Sequence, residues 1–345
     1  MKTVLRIVMT LALAPILALG APAAMAQTNW PEKPVKLVVG FTPGSATDVT
    51  GRMFAQKFGE AWGQPVIVDN VAGNSGAIGT DRVAKAPPDG YTLMWAGNAA
   101  ITVLPSLQSL PFDPVKDFEH ISTTLVMPSI IFVNNDLPVK SLAELIAYAK
   151  ANPGKLSYGT PGIGTPQHVA GELLCRLAGI KMEHIPYRGA NLTDTMSGIV
   201  PVGIQNAGAS MPFVRDGRVR GLAVTSLKRS PNAPDLPTVA ESGFPGFEAT
   251  SWFALLAPKG TPKPILEKVR AASLKVLADP DMVQKFATIG LEPVGSTGEQ
   301  TREAIATDIP KWGKVITPAS RSARKLVLKK SLGMRSDPVA NLQRK

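Results

Sequence analysis

A chain of 345 residues exceeds one ordinary domain, and its single cysteine, Cys175, excludes an intrachain disulfide or a cysteine-rich metal site. The formal net charge of +11 is unevenly spread: residues 27–316 hold 27 Lys and Arg against 25 Asp and Glu, while residues 317–345 hold eight basic residues against Asp337 alone. A nearly neutral body excludes a basic nucleic-acid face, so no nucleic-acid partner is expected.

The first segment reads as a leader. Lys2 and Arg6 precede an apolar run, Ile7 to Gly20, that ends in Ala24-Met-Ala26. A basic start, a short apolar stretch and a small-residue exit describe a secretory signal peptide over residues 1–26, cleaved after Ala26. Pro15 and the modest length argue against a membrane span, and no cysteine near the cut offers a lipid anchor. The periplasm is the expected destination.

Beyond the leader, short β-rich runs alternate with helical patterns. Val35–Val39 predicts a strand. Residues 47–62 then carry Val49, Met53, Phe54, Phe58 and Trp62 at helical spacing. Strands are expected at 65–68 and 91–95, with a short helix at 77–84 between them. After the Pro-rich connection 110–114 the pattern restarts with strands near 130–133, 156–158, 183–185, 200–204 and 222–225. Ser141 and Glu144 form a capping box that opens one helix, and another spans 169–178. A strand at 252–257 and helices at 264–277, 281–289 and from 297 complete the body, with Pro310 expected to kink the last helix. The fold class is therefore α/β, with two units of mostly parallel sheet flanked by helices.

Two Gly-rich turns stand out. Phe41-Thr-Pro-Gly-Ser-Ala-Thr-Asp48 leaves a strand and enters a helix, with Pro43 and Gly44 making the turn, Ser45 as cap and Asp48 in the first helical turn. Tyr158-Gly-Thr-Pro-Gly-Ile-Gly-Thr-Pro-Gln-His168 does the same in the second unit, with Thr165 as cap and Pro166 at the first helical position. Free amides and the helix dipole at such a place attract an anion, although either turn alone is also an ordinary strand–helix junction. The second turn is neither a P-loop nor a dinucleotide fingerprint, and the first, taken alone, could also hold a phosphate or house Asp48 as a catalytic acid. A third turn, Gly73 to Gly79, either supports the first or is a plain loop. The three histidines, His120, His168 and His184, lack metal-ligand spacing. With no G-x-S-x-G elbow either, no catalytic residue, metal or cofactor is expected and the chain is not read as an enzyme.

The chain resembles the substrate-binding proteins of tripartite tricarboxylate transporters, the Bug-type periplasmic receptors. The resemblance rests on both turns and on Gly63-Gln-Pro-Val-Ile-Val-Asp-Asn70, Ala84-Lys-Ala-Pro-Pro-Asp-Gly-Tyr-Thr-Leu93, His184-Ile-Pro-Tyr-Arg-Gly189, Leu222-Ala-Val-Thr-Ser226, Pro237 to Phe247 and Leu256-Ala-Pro-Lys-Gly-Thr-Pro262. It implies a periplasmic-binding-protein clamshell, with domain 1 over residues 27–125 plus 250–316 and domain 2 over 126–249. The clamshell would close on a small organic carboxylate and deliver it to membrane transporter subunits, as a monomer.

Carried onto this sequence, the ligand-binding residues implied are Pro43, Gly44, Ser45, Thr47, Asp48, Gly97 and Asn98 on one side. Thr160, Gly162, Gly164, Thr165 and His168 stand on the other. The chain departs from the family pattern at Ser45, where a glycine is usual, and at Ser197 to Gly203, where a Gln and an Asp are missing. The basic segment 317–345 has no family-like ending; it is expected to be disordered, as a frameshift or fusion product, with a nucleic-acid- or anionic-lipid-binding arm as the rival reading. A membrane-coupled sensor or a secreted hydrolase would be the alternatives to a transport receptor.

Overall fold

The computed structural model describes residues 29–187 and 191–315. The expected leader, the basic segment 317–345, and Arg188 and Gly189 lie outside the described residues.

The chain begins with strand β1 (Val35–Val39), helix α1 (Ala46–Trp62), strand β2 (Val66–Asn70), helix α2 (Ala77–Ala84) and strand β3 (Thr92–Gly97). A long strand, β4 (Phe118–Met127), closes this stretch, and β5 (Ser129–Val133) starts a second sheet one residue later. Helix α3 (Leu142–Ala151), β6 (Ser157–Thr160), α4 (Pro166–Ala178), β7 (Glu183–Pro186), α5 (Leu192–Met196), β8 (Val202–Asn206), α6 (Ala207–Arg215) and β9 (Arg220–Val224) follow. The chain re-enters the first sheet with β10 (Ser251–Pro258). It ends with α7 (Lys263–Ala278), α8 (Pro280–Thr288), β11 (Glu292–Pro293) and α9 (Gly298–Val315).

The first sheet has the order β11-β4-β10-β3-β1-β2 and the second β7-β6-β8-β5-β9. In each, the expected parallel pairs (β1 with β2 and β3; β6 with β7 and β8) form one half. The strands on either side of the two crossings between sheets add an antiparallel half. Helices cover both faces of each sheet, as the two-residue periodicity requires. Leu37 and Val39 pack with Phe54, Phe58 and Trp95, while Val38 packs on the opposite face with Met94 and Leu256. Ile131 and Val133 join Tyr158 and Leu174, and Ile130 and Phe132 join Leu192 and Val224.

Strand β4 escaped the sequence reading because its buried positions include Ser122 and Thr124. Their hydroxyls are satisfied by the Ser296 carbonyl at 2.8 Å and the Phe253 carbonyl at 3.0 Å, so polar residues sit where an apolar rhythm was sought. Helix α6, built on Ala-Gly-Ala-Ser with Pro212 inside it, was missed for its low propensity. Helix α9 runs unbroken through Pro310. Pro310 and Ala306, whose carbonyl loses its amide partner, both lie on the exposed side, where water replaces the lost bond. This helix joins the two halves: Ile305 packs in the core of the first sheet, Trp312 and Val315 in that of the second. Among the described residues no helix is long and apolar enough to cross a membrane.

Candidate functional site

The two Gly-rich turns have one geometry. Gly44 and Gly164 take left-handed φ values of 81° and 80°, a region that costs a side-chain-bearing residue energy. The next residue caps the helix from an extended conformation: Ser45 at φ −68°, ψ 158° and Thr165 at φ −80°, ψ 156°. The Asp48 amide donates to Ser45 Oγ at 3.2 Å, and the His168 amide donates to Thr165 Oγ1 at 3.3 Å. The glycine amide then donates forward to the side chain four residues on. Gly44 N–H reaches Asp48 Oδ2 at 2.9 Å, and Gly164 N–H reaches His168 Nδ1 at 3.2 Å.

Asp48 is buried and holds more than its own turn. Arg52 Nε donates to it at 3.1 Å, Arg52 Nη2 approaches at 2.9 Å, and Asn70 Nδ2 donates at 2.8 Å while also donating to the Phe41 carbonyl. Burial opposes ionisation here. The hydrogen bonds from Arg52, the Gly44 amide and Asn70, with the Arg52 charge, outweigh it and keep the carboxyl below the usual carboxylate range. Asp48 thus sets the geometry of the first turn.

His168 is also fully buried. Since Nδ1 accepts from Gly164, the proton of the neutral ring sits on Nε2, which points toward Glu172 Oε1 at 3.9 Å. Its ring stacks on His184 with centroids 4.2 Å apart, and His184 stacks in turn on Tyr158. His184 Nε2 lies 2.7 Å from Thr160 Oγ1, so that hydroxyl is engaged by the protein. Burial lowers the His184 pKa to about 4, and the Tyr158 hydroxyl donates to Glu172 at 2.9 Å.

What the turns offer an anion differs. In α1 the first-turn amides of Ala46 and Thr47 have no acceptor within the helix. In α4 the first position is Pro166, which has no N–H, so Gln167 alone supplies such an amide.

Both turns border the return crossing. Gly97 lies against the first turn, where an added methyl would meet Thr47 Oγ1 at 3.5 Å. Its neighbour Asn98 is buried and donates to the Thr250 carbonyl at 2.9 Å. Beside the second turn, buried Gln167 donates to Ser129 Oγ at 2.9 Å and Asn206 Oδ1 at 2.5 Å, with Ser251 Oγ at 3.5 Å. The turn at 73–79 packs behind the first, Gly76 lying against Gly40 and Phe41. Of the sequence-derived residues, Pro43, Gly44, Ser45, Thr47, Asp48, Gly97 and Asn98 thus form one cluster. Thr160, Gly162, Gly164, Thr165 and His168 form another.

Gln167, Gln205, Asn206, Ser129 and Ser251 were not singled out from sequence. The polar pair Gln205-Asn206 closing an otherwise apolar strand was the available signal.

The tripartite tricarboxylate transporter family receptor matches residues 50–320. The chain is 36% identical to the BugT protein of Bordetella pertussis over 301 residues, covering 86% of this chain and 92% of that protein. It is similar to a solved R. palustris protein with adipate (35% identity, 85% of this chain and 98% of the other, TM-score 0.72). It is also similar to MatC from Rhodopseudomonas palustris with bound malate (28% identity, 84% and 100%, TM-score 0.69).

Proposed function

The chain belongs to the tripartite tricarboxylate transporter receptor family, and from that premise we propose that its two Gly-rich turns clamp a small organic carboxylate between two domains. Receptors of this family are periplasmic solute-binding proteins, not enzymes, and partner a tripartite transporter.

The observation that carries the proposal is the doubling. One glycine–cap–helix turn occurs at the end of β1 and again after β6, and each is tied to the crossing at Thr250–Ser251 through Asn98 or Gln167. An open helix N-terminus contributes roughly 0.3–2 kcal/mol toward an anion. Two of them, with charge-assisted hydrogen bonds, are of the right order for a micromolar ligand, about 8 kcal/mol. No group in the clamp has to attack or transfer a proton. The domains would be residues 27–125 with 250–316, and 126–249, moving about the two crossings. The ligand set proposed is Pro43, Gly44, Ser45, Thr47, Gly97 and Asn98 against Thr160, Gly162, Gly164 and Thr165, with Asp48 and His168 holding the turns. Export behind a cleaved leader and a monomeric state complete the reading.

A thermal-shift screen of the exported protein against mono-, di- and tricarboxylates tests it. At least one acid is expected to raise the melting temperature; if none does while a sugar or an organic cation does, the proposal is wrong.

A further inference from the structure

Beside the second turn, three amides form a chain whose direction the backbone dictates. The Asn206 N–H donates to Gln205 Oε1 at 3.2 Å, and a backbone amide cannot reverse its polarity. Gln205 must therefore present its NH2 group, which donates to Asn191 Oδ1 at 3.4 Å. Asn191 is left presenting Nδ2, so the usual ambiguity of amide orientation is removed. Among the described residues that donor has no acceptor, although Asn191 is only 1% exposed.

Its position is also specific. A methyl on Gly159 would meet Asn191 Nδ2 at 2.5 Å, so glycine is what lets the amide sit against the end of β6. Gly159 directly precedes Thr160, where the second turn begins, and Gln205-Asn206 end β8 beside Gln167 and Ser129. The unmet donor thus stands at the strand ends that carry the clamp.

A buried donor without a partner bears its full desolvation penalty, and native structures keep few of them. A site built to hydrogen-bond a ligand group rejects the analogue lacking it far more strongly than an apolar wall does.

We propose that Asn191 Nδ2 donates to a second carboxylate of the bound acid, remote from the one seated at the first turn, and so selects dicarboxylates over monocarboxylates. The inference rests on the carboxylate-receptor reading above.

Calorimetric titration of the exported protein with succinate and adipate, each paired with its equal-length monocarboxylate, butyrate and hexanoate, tests it. The wild type is expected to prefer one of the diacids by about ten-fold or more. Asn191→Ala should bring that preference within about two-fold while leaving monocarboxylate affinity unchanged. Asn191→Asp, which places an acceptor and a charge at the same position, should lose the diacid altogether. Melting of the unliganded Asn191→Ala protein should fall by no more than about 3 °C, because loss of the unmet Nδ2 offsets the loss of the Oδ1 that accepts from Gln205.

Survival of the preference in Asn191→Ala overturns the proposal, as does a wild type without preference. An equal loss for both acids, or a fall of more than about 3 °C in the unliganded melt, also overturns it by making the amide a structural link. A wild type that binds none of these four acids overturns this inference, and the receptor reading falls with it only if the thermal-shift screen also finds no stabilising carboxylate.

Discussion

The turns at Gly44–Asp48 and Gly164–His168 share backbone angles, cap chemistry and a forward amide bond, yet one closes on a carboxylate and the other on an imidazole. The first acceptor is a charged group braced by Arg52 and Asn70. The second is a neutral ring whose accepting nitrogen exists only while the ring carries its single proton on Nε2. The first turn also keeps two open amides where the second, with Pro166, keeps one. The same shape has therefore been built once on a charged, braced carboxylate with two open amides beside it, and once on stacked histidines with one. Each turn can be broken separately.

The largest effect is expected at His168. Replacement by Ala empties a fully buried position stacked on His184 and leaves the Gly164 amide unmet. A loss of about 4 kcal/mol is anticipated in urea unfolding. His168→Asn keeps an acceptor near the place of Nδ1 and should recover about half of it. Equal losses in the two variants would show that the amide bond to Gly164 is immaterial.

Acid should separate the turns next. The His184 pKa falls from 6.5 to about 4 through burial. Between those values the unfolded chain is protonated and the folded one is not, so the unfolded state binds more protons. Stability then decreases as pH falls from about 6.5 to 4, and levels off below. The full difference corresponds to about 3 kcal/mol, or nearer 2 where water reaches the ring. Asp48, held below the ordinary value of 3.8, stays ionised throughout this window, and its contribution is lost only at lower pH. His120, also lowered by burial against its bond to the Pro114 carbonyl, slopes the same way. Comparing the wild type with His184→Gln isolates the ring under the second turn. An unchanged slope from pH 7 to 4 in that variant would remove His184 from the account.

These two experiments address features the sequence exposed very unequally. The capped turns were readable because they need particular residues at particular places: a glycine at a left-handed φ, a hydroxyl cap, a proline at the first helical position. The acceptors behind them were less so. Asp48 could be read as an ordering acid because it lies three residues after its cap, but its partner Asn70 comes from another strand. The stacking of His168 on His184 joins residues that no local rule connects.

Buried Gln167 and Asn191 left no signal in the sequence, and Gln205 only a polar end to an apolar strand, for a different reason. Amides in a helix or at a strand end usually face water, and only tertiary packing turned these inward. The parallel halves of both sheets were legible as alternating strands and helices. In the antiparallel halves β5, β9 and β10 were legible as strands but not in their direction, and β4 was missed because buried Ser122 and Thr124 hide its rhythm.

On the side of the first turn, Asp48→Ala should cost about 2–3 kcal/mol, since it frees the Gly44 amide, Asn70 and Arg52 together. Carboxylate affinity should fall with it if turn geometry sets the seat. Asp48→Asn keeps an acceptor for Gly44 or Asn70 and should cost about 1 kcal/mol, read by the same unfolding curves. A carboxylate affinity untouched by Asp48→Ala would detach the turn from ligand binding.

The smallest effect tests whether the first acceptor depends on its charge partner. Arg52 is 52% exposed while the Asp48 side chain it meets is 4% exposed, so water can replace much of the guanidinium's contribution when it is removed. The Gly44 amide and Asn70 Nδ2 remain on the carboxylate, and the Ser45 cap is untouched. Arg52→Ala should therefore cost only about 1 kcal/mol, with a smaller cost at high salt because the pair is screened. The Asp48 carboxyl should titrate closer to its ordinary value, as followed by NMR of the side chain. A loss as large as that of Asp48→Ala would mean that the ion pair, and not the three neutral hydrogen bonds, holds the first turn. The two turns would then differ in kind: one would rest on a charge and the other on a shape.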